Sequence, residues 1–320
     1  MKMRRTGLLL ALLLAIGLVA ACGDDDDEGG EATEEGTGEE VSEEAADGPT
    51  IRLVPQNFAE SETLTHVYGQ YLEAKGFDVE VQEPSGFREQ VYPALEEGSA
   101  DVVIDYAGSA ASYLAPDSEP SADSDETYER LTTALEDTSA EALEYSPAED
   151  ANALVVLAEF AEENDLTTIS DLAEIDDEVV FGSSAECVER EDCLLGYTDP
   201  EIYGFEFANT VVVDYGPPLA EGLLSGELDA VQYQTTAPEI DSGDFVVLED
   251  DEGMLSADNV VPVVRSELLG EYDEELVDAV NELSALLETE DLIGWNVRTD
   301  IDKDDPIDVA TDWLEEEGLV

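Results

Sequence analysis

The stretch VPQNFAES, residues 54–61, brings an amide, an aromatic ring, a carboxylate and a hydroxyl together in a few residues. It follows Ile51, Arg52, Leu53 and Val54, whose β-branched, alternating character reads as a strand, so the polar cluster sits at a strand end. Asn57 and Glu60 have the N-x-x-E spacing of a capping box, which starts a helix; the same helix start also offers unpaired N–H groups to an anionic ligand. Hydrolytic chemistry has no comparable support. There is no G-x-S-x-G and no H-E-x-x-H, and the single histidine, His66, falls on the first predicted helix, where packing or a surface position is the common case. With 83 Asp plus Glu in the chain, proximity of two carboxylates carries no information, and no acidic loop has the D-x-[DN]-x-[DN]-G spacing of a calcium site. The expectation is a binding protein, not an enzyme, with no cofactor and no metal.

The elements that must position such a site alternate. A strand over 51–56 is followed by Leu64, Val67, Tyr68, Tyr71 and Leu72 at helical spacing, and Gly76 stands where a helix is closed by a left-handed residue. A strand over 77–81, a helix over 88–97 ending at Gly98, and the apolar Val102, Val103 and Ile104 complete a βαβαβ run, which predicts a largely parallel sheet covered by helices. A second such unit reads from NALVVL as strand, TTISDLAEI as a short capped helix, EVVFGSS and FEFANTVVVD as strands, PPLAEGLLSGELDAVQY as helix, glycine and strand, and DFVVLED as strand. After NVVPVV the chain turns helical: Leu276, Val277, Val280, Leu283, Leu286 and Leu287 keep one apolar stripe, and Trp313 and Leu314 pack a last helix. Two α/β units joined by two extended segments predict two lobes with a cleft between them. In open α/β sheets a ligand sits beyond the carboxyl ends of the strands, and VPQNFAES is such an end.

The charge is extreme: 83 acids against 11 Lys plus Arg give a net charge of −72, which excludes nucleic acid and anionic membrane surfaces as partners. Such a surface is solvated and suited to high salt, whereas in dilute solution its carboxylates repel one another and destabilise the folded body. Lys2, Arg4 and Arg5 precede an apolar run over 7–21 that is too short for a comfortable membrane span and reads as a signal peptide. The segment LVAAC then places Cys22 after two small residues, in the manner of the bacterial lipobox, in which the cysteine is lipidated and becomes the mature N-terminus. Residues 22–49 hold almost no large apolar side chain and no positive charge, so they predict a disordered tether; a flexible chain of about 26 residues spans roughly 25–30 Å on average. The domain reading is a signal peptide over 1–21, an acidic tether over 22–49, one lobe from 50–152 plus 262–320, and a second from 153–261.

The body resembles the substrate-binding proteins of osmoprotectant ABC transporters, which deliver glycine betaine, choline and related quaternary amines. The resemblance rests on QNFAES with YGQYLEAKGFDVE, on FREQVYPALEEGSADVVIDYAGS, and on TISDLA, LSGELDAVQYQTTAPEI, FVVLEDD and NVVPVVRSELL in matching order and spacing. It implies a type II periplasmic-binding-protein-like fold, two α/β lobes joined by crossing strands near 152–157 and 260–264, with permease subunits and a small osmolyte as partners. A monomer is expected, held outside the cytoplasm on the membrane by lipidated Cys22. Carried over by residue, the resemblance implies a pocket of Asn57, Ser61, Arg88, Tyr106, Ser109, Asn152, Gln234, Thr235, Thr236 and Asn259. Betaine binders of this family place several rings around the trimethylammonium group, because a cation without hydrogen-bond donors must be held by ring faces. Here only Tyr106 among the matched positions is aromatic; Asn152, Gln234 and Asn259 are amides, and Phe58, Phe87 and Tyr233 lie beside matched positions. Arg88 has two open readings, a two-bond clamp on a solute carboxylate or a surface ion pair with Glu89 or with Glu96 and Glu97. Cys187 and Cys193 in SAECVEREDCLLG are expected to form a disulfide outside the cytoplasm, worth on the order of 2 kcal/mol, as paired cysteines in some family members also imply; two cysteines without a neighbouring histidine do not make a metal site.

Mass spectrometry of the native N-terminus is expected to show an acylated Cys22. An unmodified terminus elsewhere in the tether contradicts the lipoprotein reading.

Overall fold

The computed structural model describes residues 48–320 apart from Glu186, Tyr215 and Asp273. The expected leader, Cys22 and nearly all of the acidic tether lie outside the described residues. Among the described residues no helix is long and apolar enough to cross a membrane.

Among the described residues, ten strands form two five-stranded sheets. The first sheet contains β1 (Ile51–Leu53), β2 (Val79–Val81), β3 (Val102–Tyr106), β4 (Ala140–Ala142) and, last in the chain, β10 (Val260–Arg265), in the order β2-β1-β3-β10-β4. The second contains β5 (Asn152–Leu157), β6 (Val180–Ser183), β7 (Asn209–Val212), β8 (Ala230–Gln234) and β9 (Phe245–Leu248), in the order β7-β6-β8-β5-β9. The chain crosses between the sheets twice, from β4 to β5 and from β9 back to β10, and the two crossing segments pair through an antiparallel bridge between Glu149 and Asn259. The fold is therefore α/β with two lobes. Neither sheet is as parallel as the βαβ pattern predicts: β10 runs antiparallel to β3 and β4, and β5 antiparallel to β8 and β9. The reason is topological. Each of these strands enters its sheet from the other lobe, without the crossover helix that makes neighbouring strands parallel.

Both sheets bury both faces. On β3, Val102, Ile104 and Tyr106 pack under α1 (Ala59–Ala74) and the C-terminal helices, while Val103 packs on the opposite face with Val91, Tyr92 and Leu95 of α2 (Arg88–Glu96), which is the two-residue period of a strand. On β5, Leu154 and Val156 face one core and Ala153 and Val155 the other. The expected strand over 51–56 ends early, at Leu53, and the segment TTISDLAEI forms a 3-10 helix over Ile169–Glu174, started by Thr168 and Asp171. Leu276, Val280, Leu283 and Leu287 are fully buried as the stripe requires, but Leu286 is 48% exposed, because its helix ends at Ser284 and the residue falls off the helical face.

The outer end of the first sheet is closed by a buried charge. Asp101, 1% exposed, accepts from Arg52 Nε at 2.7 Å and Nη2 at 2.9 Å and from Arg265 Nε at 2.9 Å and Nη2 at 2.6 Å, tying the start of β3 to β1 and β10. Burial by itself would raise the Asp101 carboxyl, but the bonds from the two arginines outweigh it and hold the group below its ordinary value of 3.8. A carboxylate held low contributes stability above the unfolded-state pKa and loses it as the pH falls through the folded one. Asp101→Asn is expected to cost about 3 kcal/mol at neutral pH, lowering Tm by roughly 6–12 °C, because Arg52 loses its counter-charge and Arg265 keeps only the exposed Glu267. An unchanged Tm in thermal unfolding contradicts that role.

Candidate functional site

The turn between β1 and α1 does not form the expected capping box. The helix is preceded by Phe58 at its N-cap position, with no side-chain cap, and Asn57 is exposed, its backbone N–H donating to Gly86 O at 2.9 Å. Glu60 is instead turned inward and 5% exposed, accepting from Tyr106 Oη, from Asn296 Nδ2 and from Thr236 Oγ1 at 2.9 Å. Ser61 is fully buried and takes the backbone N–H of Gln56 at 3.0 Å, so it shapes the turn from below.

At the end of β3, Asp105 is fully buried and gathers five donors. Oδ1 receives Gln56 Nε2 at 3.0 Å, Arg88 Nη2 at 2.6 Å and the Tyr106 N–H at 2.9 Å; Oδ2 receives Arg88 Nε at 3.1 Å and Tyr92 Oη at 3.1 Å. Arg88 thus forms its two-bond pair with Asp105, from inside the lobe, and not with Glu89, Glu96 or Glu97. Tyr106 then leads into α3 (Ala107–Leu114), whose Gly108 lies against a crossing segment so closely that a Cβ there would meet Ala257 O at 2.5 Å. The resulting floor carries a row of rings: Phe58 stacks on Phe87 at 6.4 Å and 12° and on Tyr106 at 6.2 Å and 29°.

These groups line a cavity of about 70 Å³ between the lobes. Gln56, Phe58, Phe87, Arg88, Tyr106 and Ser109 come from the first lobe, Asn152, Gln234 and Arg190 from the second, and Asp150 and Asp258 from the crossing segments. The cavity shares Arg88, Ser109 and Arg190 with an opening of about 380 Å³, and Phe58, Phe87 and Asp150 with another of about 260 Å³. Arg190 stands midway in the loop closed by the Cys187–Cys193 disulfide, pairs with Asp192 at 2.9 and 2.6 Å, and reaches Ser109 Oγ of the other lobe at 3.4 Å. Thr236 makes a second bridge, bonding Glu60 of the first lobe and Asp150 Oδ1 at 2.7 Å.

The electrostatics favour a cation near the crossing segments. Asp258 is held by the Ser109 N–H at 2.8 Å and Oγ at 2.6 Å; burial raises its carboxyl to about 6, with Ser109, Arg88 and Arg190 opposing the rise. Asp150 is raised well above its ordinary value, first by burial and then by the charge of Glu60, which burial also raises. A positive group placed between them is stabilised by both and favours their ionised forms.

Of the residues the resemblance implies, the structure brings Arg88, Tyr106, Ser109, Asn152 and Gln234 to the cavity wall and places Asn57 and Thr236 on the adjoining opening. Ser61, Thr235 and Asn259 stand behind it: Thr235 Oγ1 accepts the Ala151 N–H at 3.0 Å, and Asn259 Nδ2 donates to Ser146 O at 3.0 Å. Tyr233 is buried, donates to Glu239 at 3.0 Å and lines the same opening as Thr236. His66 is half-buried on α1 and lines none of these spaces. Sequence reasoning missed Gln56, Asp150, Arg190 and Asp258. Arg190 had a usable signal, a rare cation enclosed by two cysteines; the two aspartates had none in so acidic a chain.

The family model described as the substrate-binding domain of the ABC-type glycine betaine transport system matches residues 49–316. A glycine-betaine-binding protein of Pseudomonas aeruginosa is 27% identical over 86% of this chain and 90% of its own length, and the glycine betaine-binding protein YehZ of Escherichia coli is 25% identical over 81% and 88%. Among solved structures, a glycine betaine/carnitine/choline ABC transporter protein covers 84% of this chain and 99% of its own at 21% identity with a TM-score of 0.71, a likeness of fold. The chain belongs to the family of substrate-binding domains of ABC-type glycine betaine transport systems, binding components and not enzymes.

Proposed function

We propose that the protein captures one small osmoprotectant, glycine betaine, choline or a related quaternary amine, in the cavity between its lobes and delivers it to the permease of an ABC importer. The observation that carries this reading is the ring row of Phe87, Phe58 and Tyr106 set in a cavity that also holds Asp150, so that a quaternary ammonium meets π faces and a buried carboxylate in one space. Arg88 and Arg190 supply the complementary end. Each guanidinium has five N–H donors and spends two on its aspartate, which leaves N–H groups for a solute carboxylate. Because lining residues come from both lobes and the crossing segments, a bound solute adds contacts across the cleft and favours the closed arrangement. In this reading the protein works as a monomer outside the cytoplasm, anchored by Cys22, with the tether giving the body freedom to meet the permease. The alternative ligand on the same fold is another polar zwitterion or an uncharged solute.

Phe58 is central to the ring row and only partly buried, so Phe58→Leu keeps apolar packing while removing the π face. Calorimetric titration in molar salt is expected to show choline and betaine binding weakened roughly five- to thirty-fold, about 1–2 kcal/mol. Affinity unchanged for both solutes contradicts the ring-held cation.

A further inference from the structure

Two glutamines that line the cavity each hold a buried amide oxygen with no partner among the described residues. Gln56 is fully buried, and its Nε2 donates to Asp105 Oδ1 at 3.0 Å; a carboxylate only accepts, so this bond fixes which end of the amide is oxygen. Its Oε1 is buried and unpaired. Gln234 closes β8 opposite Asn152 of β5, and its Oε1 is likewise buried and unpaired. The two glutamines come from opposite lobes and line the same cavity, together with the Asp150 carboxylate. Beside the guanidinium donors of Arg88 and Arg190, the wall therefore also presents acceptors that nothing in the described residues satisfies.

Buried acceptors without partners are costly, and a site built to receive a donor rejects the analogue that lacks one more strongly than an apolar pocket rejects an extra methyl. A trimethylammonium carboxylate has no N–H or O–H to offer, so it would leave both carbonyls dry and unpaired. We propose that Gln56 and Gln234 are specificity determinants that select, among small ammonium solutes, those carrying an N–H or O–H donor over their donor-free counterparts. This rests on the cavity being the solute site, as argued above, and narrows that reading from quaternary amines in general to hydroxylated or incompletely methylated ones.

The test is calorimetric titration of the protein, in molar salt, with two matched pairs that differ by one donor: N,N-dimethylglycine against glycine betaine, and carnitine against its deoxy analogue γ-butyrobetaine. The donor-bearing member of each pair is expected to bind about ten-fold tighter or more. In Gln234→Met, which keeps length and loses the acceptor, the ratio is expected to fall several-fold, whereas Gln234→Glu, which keeps an acceptor, preserves it. Equal or tighter binding of the donor-free members by the unaltered protein overturns the inference while leaving the osmolyte-binding function intact, and this comparison does not depend on any variant folding. A ratio unchanged in a folded Gln234→Met also overturns it. If no member of either pair binds, the inference falls; if choline, titrated alongside, fails to bind as well, the proposed function falls with it.

Discussion

A single buried carboxylate, Asp105, organises the floor of the cleft. It sits at the end of the central strand β3 and accepts five hydrogen bonds, from Gln56, twice from Arg88, from Tyr92 and from the backbone of Tyr106. Those bonds come from the β1–α1 turn, from two turns of α2 and from the start of α3, which are the three elements that present Gln56, Arg88, Tyr106 and Ser109 to the cavity. An unpaired charge at this depth would cost several kcal/mol, so the surrounding donors are held in one arrangement and the cavity wall is preorganised before any solute arrives.

The same constraint explains where four of the few cations went. In a chain with 11 Lys plus Arg against 83 acids, Arg52 and Arg265 meet buried Asp101, Arg88 meets buried Asp105, and Arg190 meets buried Asp192. Exposed carboxylates need no such partner, because water and salt solvate them. Buried ones need a cation or hydrogen-bond donors, and two of the four arginines that serve them also line the cavity, where they turn an otherwise anionic space into one with two ends. Asp150, Asp258 and Glu60 remain without a directly bonded cation and are kept by Thr236, Ser109, Tyr106 and Asn296. These acids are the reason the cavity suits a positive group at one end.

The order of most strands and helices was legible because it rests on local periodicity: β-branched runs, helical stripes and glycine stops depend on neighbours a few residues apart, whereas the helices Ala107–Leu114 and Ser124–Leu135 and the three-residue strand β4 went unread. The sense of β5 and β10 was not, since it depends on the chain changing lobes, an event no local window records. Arg88, Tyr106, Ser109, Asn152 and Gln234 were legible as cavity residues through family resemblance alone. Asn57 was singled out by its spacing to Glu60, yet Phe58 takes the N-cap position and Glu60 turns inward to Tyr106 and Thr236, because a three-way bond across the lobes outweighs a surface cap. Asp150 and Asp258 do their work through burial between the crossing segments, and burial of one acid among 83 cannot be read from composition.

In the proposed function a cationic solute is held between the ring row of one lobe and the acids of the crossing segments. A crystal structure of the protein grown with choline is the decisive measurement. The ammonium group is expected within about 6 Å of the Phe58 or Tyr106 ring centroid and facing Asp150, with the hydroxyl toward Gln56 or Gln234. Choline found outside the cleft, for example in the groove formed by Thr132, Glu136 and Ser266 beside β4, with the cavity between the lobes empty, would contradict it.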